Sequence, residues 1–236
     1  MKPSTHLMQS WFVVGTLTAI SLQMTGCSNP ADDKFQAVAK PSMPSVKVSA
    51  ESAVVGDKAL EVRALQDAIK LVKAVAASSR IEFTGSKVTG KHDGGFKLFT
   101  AEAKVDSAKK QLVNFKATID MNSTWSDNDN LTAHLKNQDF FDVPKFPTSV
   151  FETTEIKSGS EAKLAGSNQI ITGNLTLHGV TKSIAFPAKV AVADNGGVSL
   201  STEFAINRKD FGMIISGKAD DLIRDEVVLR LNIQAE

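Results

Sequence analysis

The chain has 236 residues, and its 27 basic and 26 acidic side chains give a formal charge of +1. Hydrophobic residues make up 42% and charged residues 22%, a globular composition that excludes a disordered or collagen-like chain. The balanced charge gives no electrostatic reason to bind nucleic acid. The single cysteine, Cys27, excludes an intrachain disulfide, a Cys-rich zinc site and a CxxC redox pair.

An apolar segment at the amino terminus, Trp11–Leu22, is too short for a membrane-spanning helix, which needs about 20 residues. It is typical of the core of a secretion signal. Cys27 follows directly after the small-residue site Met24-Thr25-Gly26, an arrangement that resembles a bacterial lipobox. We therefore expect Cys27 to be the lipid attachment site. Ordinary cleavage before Cys27 and a buried structural cysteine are the alternatives.

The expected organisation is a lipoprotein signal peptide (1–26), a lipidated Cys27 with a tether and an ambiguous helical segment (27–67), and a β domain (68–236). The proline-containing stretch Ser28–Ser45 has no sustained period and is interpreted as a tether to the membrane. Between Val46 and Ser78 the apolar residues have a helical spacing, whereas the neighbouring sequence predicts a strand near 68–76. We favour a helix or tether up to Asp67 and a first strand after it.

The remainder of the chain alternates apolar and polar residues, which predicts strands with one buried and one exposed face. The apolar positions are Val113, Phe115, Ala117, Ile119 and Met121; Ile184, Phe186, Ala188, Val190 and Val192; Val198, Leu200, Thr202, Phe204 and Ile206; and Val227, Leu229, Leu231 and Ile233. Turn signals occur at 93–95, 158–159, 178–179 and 194–197. The expected fold is all-β: an antiparallel, up-and-down, lipocalin-like β-barrel of roughly eight strands, with a flat sandwich as the alternative.

One excursion, Trp125–Thr148, interrupts the strands. Ser126 or Asp127 is the expected cap of a short helix at Leu131–Lys136, and the pair Phe140-Phe141 follows. Such a loop either closes the mouth of a ligand-binding barrel or simply plugs the barrel end. Both interpretations stay open.

Four ordered motifs lie between Ser79 and Glu236. They are Ile81-Glu82-Phe83-x-Gly85 through Gly94-Gly95-Phe96, Leu131-Thr132-x-His134 through Phe146-Pro147, Gly173-Asn174-Leu175 through Thr181-Lys182, and Asn207-Arg208-Lys209-Asp210-Phe211-Gly212. Together with the terminal Asp225-Glu226-Val227 strand, they resemble the YceI-like family. The resemblance implies a lipocalin-like barrel with an apolar interior that binds isoprenoid or other lipid chains outside the cytoplasm, without catalytic chemistry.

Catalytic and metal chemistry find little support in the sequence. His92, His134 and His178 lie in three separate motifs without metal-ligand spacing. We expect His178 to fix a turn by a hydrogen bond, and His134 to pair with Asp139. Nucleophile-elbow and nucleotide-binding motifs are lacking, so neither an enzyme nor a cofactor is expected.

Twelve apolar residues are the candidate lining and lid of a lipid site: Phe83, Phe99, Phe115, Leu135, Phe140, Phe141, Phe151, Leu175, Leu177, Phe186, Phe204 and Leu229. Each buried methylene of a ligand contributes about 0.8 kcal/mol, so a prenyl or fatty chain binds without specific hydrogen bonds. The lack of tyrosine favours a site that recognises the chain rather than a headgroup.

We therefore expect a membrane-anchored lipid-binding lipoprotein on the periplasmic side of the cell envelope. Ser28, next to Cys27, favours the outer membrane. The alternative is a structural or interaction module with a filled barrel and no ligand. Whether the barrel forms a homodimer stays open.

Overall fold

The computed structural model describes residues 28–44, 69–158, 166–214 and 222–236. Cys27, the apolar segment before it and residues 45–68 lie outside these ranges. Within the described ranges, no helix is long and apolar enough to cross a membrane.

Nearly all regular structure in the described residues is β. The elements are β1 (Phe35–Gln36), β2 (Lys40–Pro41), β3 (Ile69–Lys73), β4 (Arg80–Lys87), β5 (Gly90–Phe96), β6 (Phe99–Asp106), β7 (Gln111–Asp120), β8 (Thr124–Ser126), α1 (Asp129–Leu135), β9 (Thr148–Ser158), β10 (Gln169–Leu177), β11 (Val180–Val192), β12 (Val198–Asn207) and β13 (Glu226–Ala235). The strand expected between 68 and 76 is β3.

The strands form one curled sheet in the order β3-β6-β7-β9-β10-β11-β12-β13-β4-β5-β8. From β6 to β13, with the exception of β8, strands that are adjacent in the sheet are also consecutive in the chain. This arrangement is an up-and-down meander. The last strand, β13, pairs antiparallel with the first long strand, β4, and Ala74 bridges to Ala235 where the sheet curls back on itself. The all-β, lipocalin-like barrel is therefore confirmed.

The alternation holds along β11 and β12, where the residues expected to face inward are buried or half-buried. Val113 is the exception, since 45% of it is exposed while its neighbour Leu112 is buried. The register between β6 and β7 shifts after Lys104, so that Leu112 takes the inward position. The prediction for Val113 is wrong because alternation does not reveal a bulge.

The glycines at 94 and 95 belong to a strand rather than to a turn. β5 includes both residues, and the turn that joins it to β4 lies at Val88-Thr89 instead. A side chain at Gly94 would meet the ring of Phe83 and the carbonyl of Trp125 at about 2.4 and 2.5 Å. The absence of a side chain at Gly94 therefore allows Phe83 and Trp125 to pack directly against its backbone. The expected turns at 178–179 and 194–197 are present.

The short helix begins two residues earlier than expected, and its cap differs. Asn128 is the N-cap, and its side-chain oxygen accepts a hydrogen bond from the Leu131 amide at 2.9 Å. The nearby hydroxyl of Ser126 bonds instead to the Asn128 carbonyl and to Thr132. The neighbouring candidate, Asp127, accepts hydrogen bonds from residues of β5.

The amino-terminal segment is attached to the barrel, in contrast to the free tether expected there. β1 pairs parallel with β12, and β2 pairs antiparallel with β11. Ala31 is fully buried against Ala205 and Val228 on the outer face of the barrel. The expectation missed this because two-residue strands are too short to show a period.

A polar cluster on the outer face makes a pH-dependent contribution to stability. The Thr84 hydroxyl donates to Asp93, and the guanidinium of Arg230 lies 3.1 Å from the same carboxylate. Together they hold the pKa of Asp93 below its usual range, although partial burial opposes them. A carboxylate with a lowered folded pKa stabilises the fold above its unfolded pKa of about 3.9, and this contribution is lost as the pH falls through the folded value.

We expect Asp93→Asn to lower the free energy of unfolding at pH 7 by at most about 1 kcal/mol, because half-exposed ion pairs are screened by solvent. The difference from wild type should shrink as the pH falls below 4. Urea denaturation at pH 7 and at pH 3 measures this. Asp194→Asn, at a carboxylate that is 89% exposed, is the control. An equal difference at both pH values would contradict the interpretation.

Candidate functional site

The barrel contains a cavity of about 300 Å³ that is partly open to solvent, at the lower end of the usual range for ligand sites. Its wall is almost entirely apolar. The apolar lining is Ile81, Phe83, Phe96, Ala117, Ile119, Met121, Leu131, Leu135, Phe140, Phe141, Phe151, Leu175, Leu177, Ile184, Phe186, Phe204, Ile206, Met213, Ile223, Val227, Leu229 and Leu231. The interior is therefore not completely filled by side chains.

Ten of the twelve candidate residues lie on this wall, and two do not. The ten are Phe83, Leu135, Phe140, Phe141, Phe151, Leu175, Leu177, Phe186, Phe204 and Leu229. Phe115 is buried in the core behind the wall, with its ring 6.3 Å from that of Phe151. Phe99 faces a separate surface depression beside Trp125. As cavity-lining residues these two predictions are wrong.

Two phenylalanines of the wall are positioned by strand glycines. The Phe83 ring lies over Gly94, and the Phe151 ring lies over Gly173 on the neighbouring strand β10. A side chain at Gly173 would come within about 2.4 Å of the Phe151 ring and 2.6 Å of the Glu152 carbonyl. The absence of a Cβ thus lets each ring lie against the backbone, and this leaves the centre of the barrel open.

The excursion after β8 supplies one side of the cavity. Phe141 packs against Phe83 at 6.3 Å and against Phe96 at 6.0 Å between ring centroids. Phe140 also reaches the wall, and its ring meets the His134 imidazole edge-on at 5.0 Å. The two phenylalanines therefore cover the cavity, and space remains beneath them.

A second row of rings crosses the opposite wall. Phe151, Phe186 and Phe204 are consecutive neighbours, at centroid distances of 5.4 and 4.3 Å. The last two are stacked almost parallel, with an interplanar angle of 1°. Phe186 and Phe204 belong to β11 and β12, at positions where these two strands do not pair with each other.

Most polar wall residues gather at one end of the cavity, around the β4–β5 turn. They are Ser86, Lys87, His92, Arg208 and Arg224, while His134 lies on α1 and Ser149 on β9. The Arg224 amide donates to the Ser86 carbonyl at 2.9 Å, and Lys87 bridges to Ile223. The Ser86 hydroxyl is buried and makes no hydrogen bond within the described residues. The resemblance implied an apolar interior, and the sequence did not identify the residues of this polar end as part of the site.

Arg208 is the most buried charged group of this end, with 2% of the residue exposed. Its guanidinium donates to the carbonyls of Met213 and Arg224 at 2.6 and 3.3 Å, and it lies 3.1 Å from the Asp225 carboxylate. Lys209 binds the same carboxylate.

The three histidines have structural partners. Nδ1 of His178 donates to the Phe211 carbonyl at 3.1 Å, as expected of a residue that fixes a turn. His134 pairs with Asp139 at 3.3 Å, and His92 with Asp127 at 2.8 Å. Partial burial raises the pKa of Asp127, but a backbone amide and His92 outweigh it, so the net shift is downward. Among the described residues no group of three or more His, Cys, Asp or Glu side chains is arranged to hold a metal.

Sequence reasoning also missed much of the apolar wall. Ile81, Ile184, Ile206, Val227 and Leu231 line the cavity, and the alternation along β4, β11, β12 and β13 was the available signal. Met213 follows a 3₁₀ turn outside the strands, so no period indicates it, whereas Met121 continues the alternation of β7 into the next 3₁₀ turn.

Comparison with known proteins gives a consistent family assignment. The family model for the YceI-like domain matches residues 73–235. A UPF0312 protein of Pseudomonas paraeruginosa is 38% identical over 120 residues, which are 49% of this chain and 58% of that protein. One from Pseudomonas putida is 39% identical over 95 residues, 40% of this chain and 47% of that protein. The chain thus matches about half the length of these relatives.

Solved structures share the fold. BcnA of Burkholderia cenocepacia superposes with a TM-score of 0.60 at 24% identity, over 69% of this chain and 99% of BcnA. A YceI protein of Campylobacter jejuni gives 0.51 at 28% identity, over 61% and 84% of the two chains. A polyisoprenoid binding domain from Saccharophagus degradans gives 0.53 at 18% identity, over 71% and 99%.

Proposed function

Since this chain belongs to the family of YceI-like domains, we propose that its barrel binds the hydrocarbon chain of an isoprenoid-like or fatty lipid. The observation that carries the proposal is the apolar cavity of about 300 Å³ inside the barrel. The likeness to a polyisoprenoid binding domain, which shares the fold, favours the same class of ligand.

An accessible space with apolar walls favours an apolar occupant. A hydrocarbon chain in the cavity would remove its methylenes and the phenylalanine rings from water, at about 0.8 kcal/mol per methylene. The alternative of a filled barrel without a ligand would require this space to be packed.

The polar end of the cavity suggests an orientation for the ligand. Lys87, His92 and Arg224 line that end, and their side chains can donate hydrogen bonds there. A hydroxyl or headgroup oxygen at the end of the bound chain would accept them. We therefore propose that the polar end of the lipid lies beside Lys87 and its tail among the phenylalanines.

The proposed role is carriage or sequestration of lipid in the cell envelope, without a catalytic step. Acylation of Cys27 would hold the barrel on the periplasmic side, with the outer membrane favoured by Ser28. This anchoring rests on the sequence pattern alone. Incorporation of labelled palmitate into wild type but not into Cys27→Ser would support it, and equal labelling of both would refute it.

Titration with a fluorescent geranylgeranyl probe and a fluorescent fatty acid tests the proposal. About ten buried methylenes supply roughly 8 kcal/mol, so we expect a dissociation constant near or below about 10 µM for at least one probe. The full chain carrying Cys27→Ser avoids interference from the anchor. Failure of both probes to bind would overturn the proposal.

Lys87→Ala should weaken binding of a prenol by about 3- to 10-fold, the worth of one hydrogen bond, and leave binding of the matching hydrocarbon unchanged. Competition against the fluorescent probe measures both affinities. Ser149→Ala is the matched control, because Ser149 also lines the cavity but donates to the Thr176 carbonyl at 2.8 Å. Equal losses for the prenol and the hydrocarbon would contradict the proposed orientation.

A further inference from the structure

The barrel wall is split beside the cavity. β11 and β12 pair only near their shared turn, from Lys189–Val192 to Val198–Ser201. Pro187 lies where this pairing ends, and it has no amide hydrogen to donate. The Thr202 hydroxyl donates to the Pro187 carbonyl at 2.6 Å, and beyond this point the two strands have no paired residues.

Residues 31–43, which we call the strap, occupy this split. Phe35 and Gln36 pair with β12, and the Ala37 amide donates to the Ala205 carbonyl at 2.8 Å. Lys40 and Pro41 pair with β11 on the other side. The strap therefore stands in the wall as an inserted strand, and it precedes the segment 73–235 that defines the family.

The strap alternates like a wall strand. Phe35, Ala37 and Ala39 pack on the hydrophobic core of the barrel, while Val38 is 67% exposed. Directly inside it lie the stacked rings of Phe186 and Phe204, which belong to the cavity wall. Two layers thus separate the cavity from solvent at the split: the ring pair and the strap.

The attachment of the strap is weak compared with that of the other strands. It consists of two strands of two residues, a few hydrogen bonds and a Lys34–Glu203 ion pair at 3.4 Å. At its far end the Asn174 side chain exchanges two hydrogen bonds with the Met43 backbone, at 3.0 and 2.7 Å. Segments with so few contacts open at lower free energy than the strands of the core.

We propose that the strap closes a lateral portal into the cavity, and that a lipid chain enters and leaves between β11 and β12 when the strap is released. This inference rests on the proposed lipid-binding function. A lateral portal suits a long chain, because the chain can enter side-on rather than be threaded past Phe140 and Phe141. The strap then governs the exchange rate more than the affinity.

Ala37→Glu, in the full chain carrying Cys27→Ser, tests the portal. A carboxylate at this buried position, which is 4% exposed, should expel the strap, because burying an unpaired charge is costly. We expect uptake and release of the fluorescent geranylgeranyl probe, followed by stopped flow, to become at least about tenfold faster. Val38→Glu, on the exposed side of the same strand, should leave both rates within about twofold of wild type.

Hydrogen exchange at the backbone amide of residue 37, measured in each variant, shows independently whether the strap has been released. A released strap with unchanged probe kinetics would overturn the portal while leaving lipid binding intact. Absence of probe binding in every variant would instead overturn the lipid-binding function, and the portal with it. Should Ala37→Glu fail to fold, Asn174→Ala removes one attachment of the strap and provides a milder test. Uptake and release of the probe should again become faster. Asn114→Ala is its control, because Asn114 contacts β9 rather than the strap.

Discussion

Ala117→Trp is expected to abolish lipid uptake while the barrel stays folded. Ala117 is buried on β7, and its methyl group faces the cavity. An indole at this position would extend into the open space and displace part of the bound chain. Loss of contacts with about four methylenes costs roughly 3 kcal/mol, which is more than a hundredfold in affinity.

The folded state should tolerate this indole because the space already exists. We expect the free energy of unfolding of Ala117→Trp to stay within about 1.5 kcal/mol of wild type, since cavity filling offsets strain. Probe titration and urea denaturation on the same preparation measure the two effects separately.

Ala103→Trp is the matched control. Ala103 is equally buried, with 2% exposed, but it lies in the packed core rather than on the cavity wall. Overpacking there should cost about 1–3 kcal/mol or more. Strong destabilisation by both substitutions would mean that the interior has no usable space. Retained probe affinity in a folded Ala117→Trp variant would place the binding site elsewhere.

Arg208→Met should be the most destabilising substitution at the polar end, lowering the free energy of unfolding by about 3 kcal/mol or more. The guanidinium is 3% exposed, and its loss would leave the Met213 and Arg224 carbonyls without this donor. Through these bonds Arg208 joins the 3₁₀ turn after β12 to residues 223–225. A weaker affinity for the prenol should accompany the loss of stability, because Lys87 bridges to Ile223 in this same segment.

Arg230→Met is the comparison for this prediction. Its side chain is 36% exposed and contacts Asp93 and Glu203 on the outer face. Exposed pairs contribute about 0–1 kcal/mol, so little change is expected. Urea denaturation at pH 7 measures both variants. Similar small losses for the two arginines would contradict the structural role given to Arg208.

The barrel and most of its apolar wall were predictable from the sequence, because a period of two assigns residues to faces. Phe186 and Phe204 illustrate this: alternation alone places both inside. Register is what alternation does not give. Val113 points outward because a bulge shifts β7, and Gly94 lies within a strand because the Phe83 ring needs its missing side chain.

The strap and the polar end were not predictable for a different reason. Two-residue strands carry no period, and their partners lie some 140 to 170 residues away in the chain. Arg208 has the appearance of an ordinary loop arginine until the carbonyls that surround it are known. Such features depend on tertiary proximity, which one sequence does not contain.

The claim on which all of this depends is that the barrel holds a lipid chain. Native mass spectrometry of the full chain carrying Cys27→Ser, purified without detergent from cells of its source organism, tests it most directly. We expect a species heavier than the bare chain by the mass of one isoprenoid or fatty lipid, and the same species should be missing from Ala117→Trp. A wild-type cavity that yields only the bare chain, both as purified and after incubation with prenol-containing vesicles, would contradict the account.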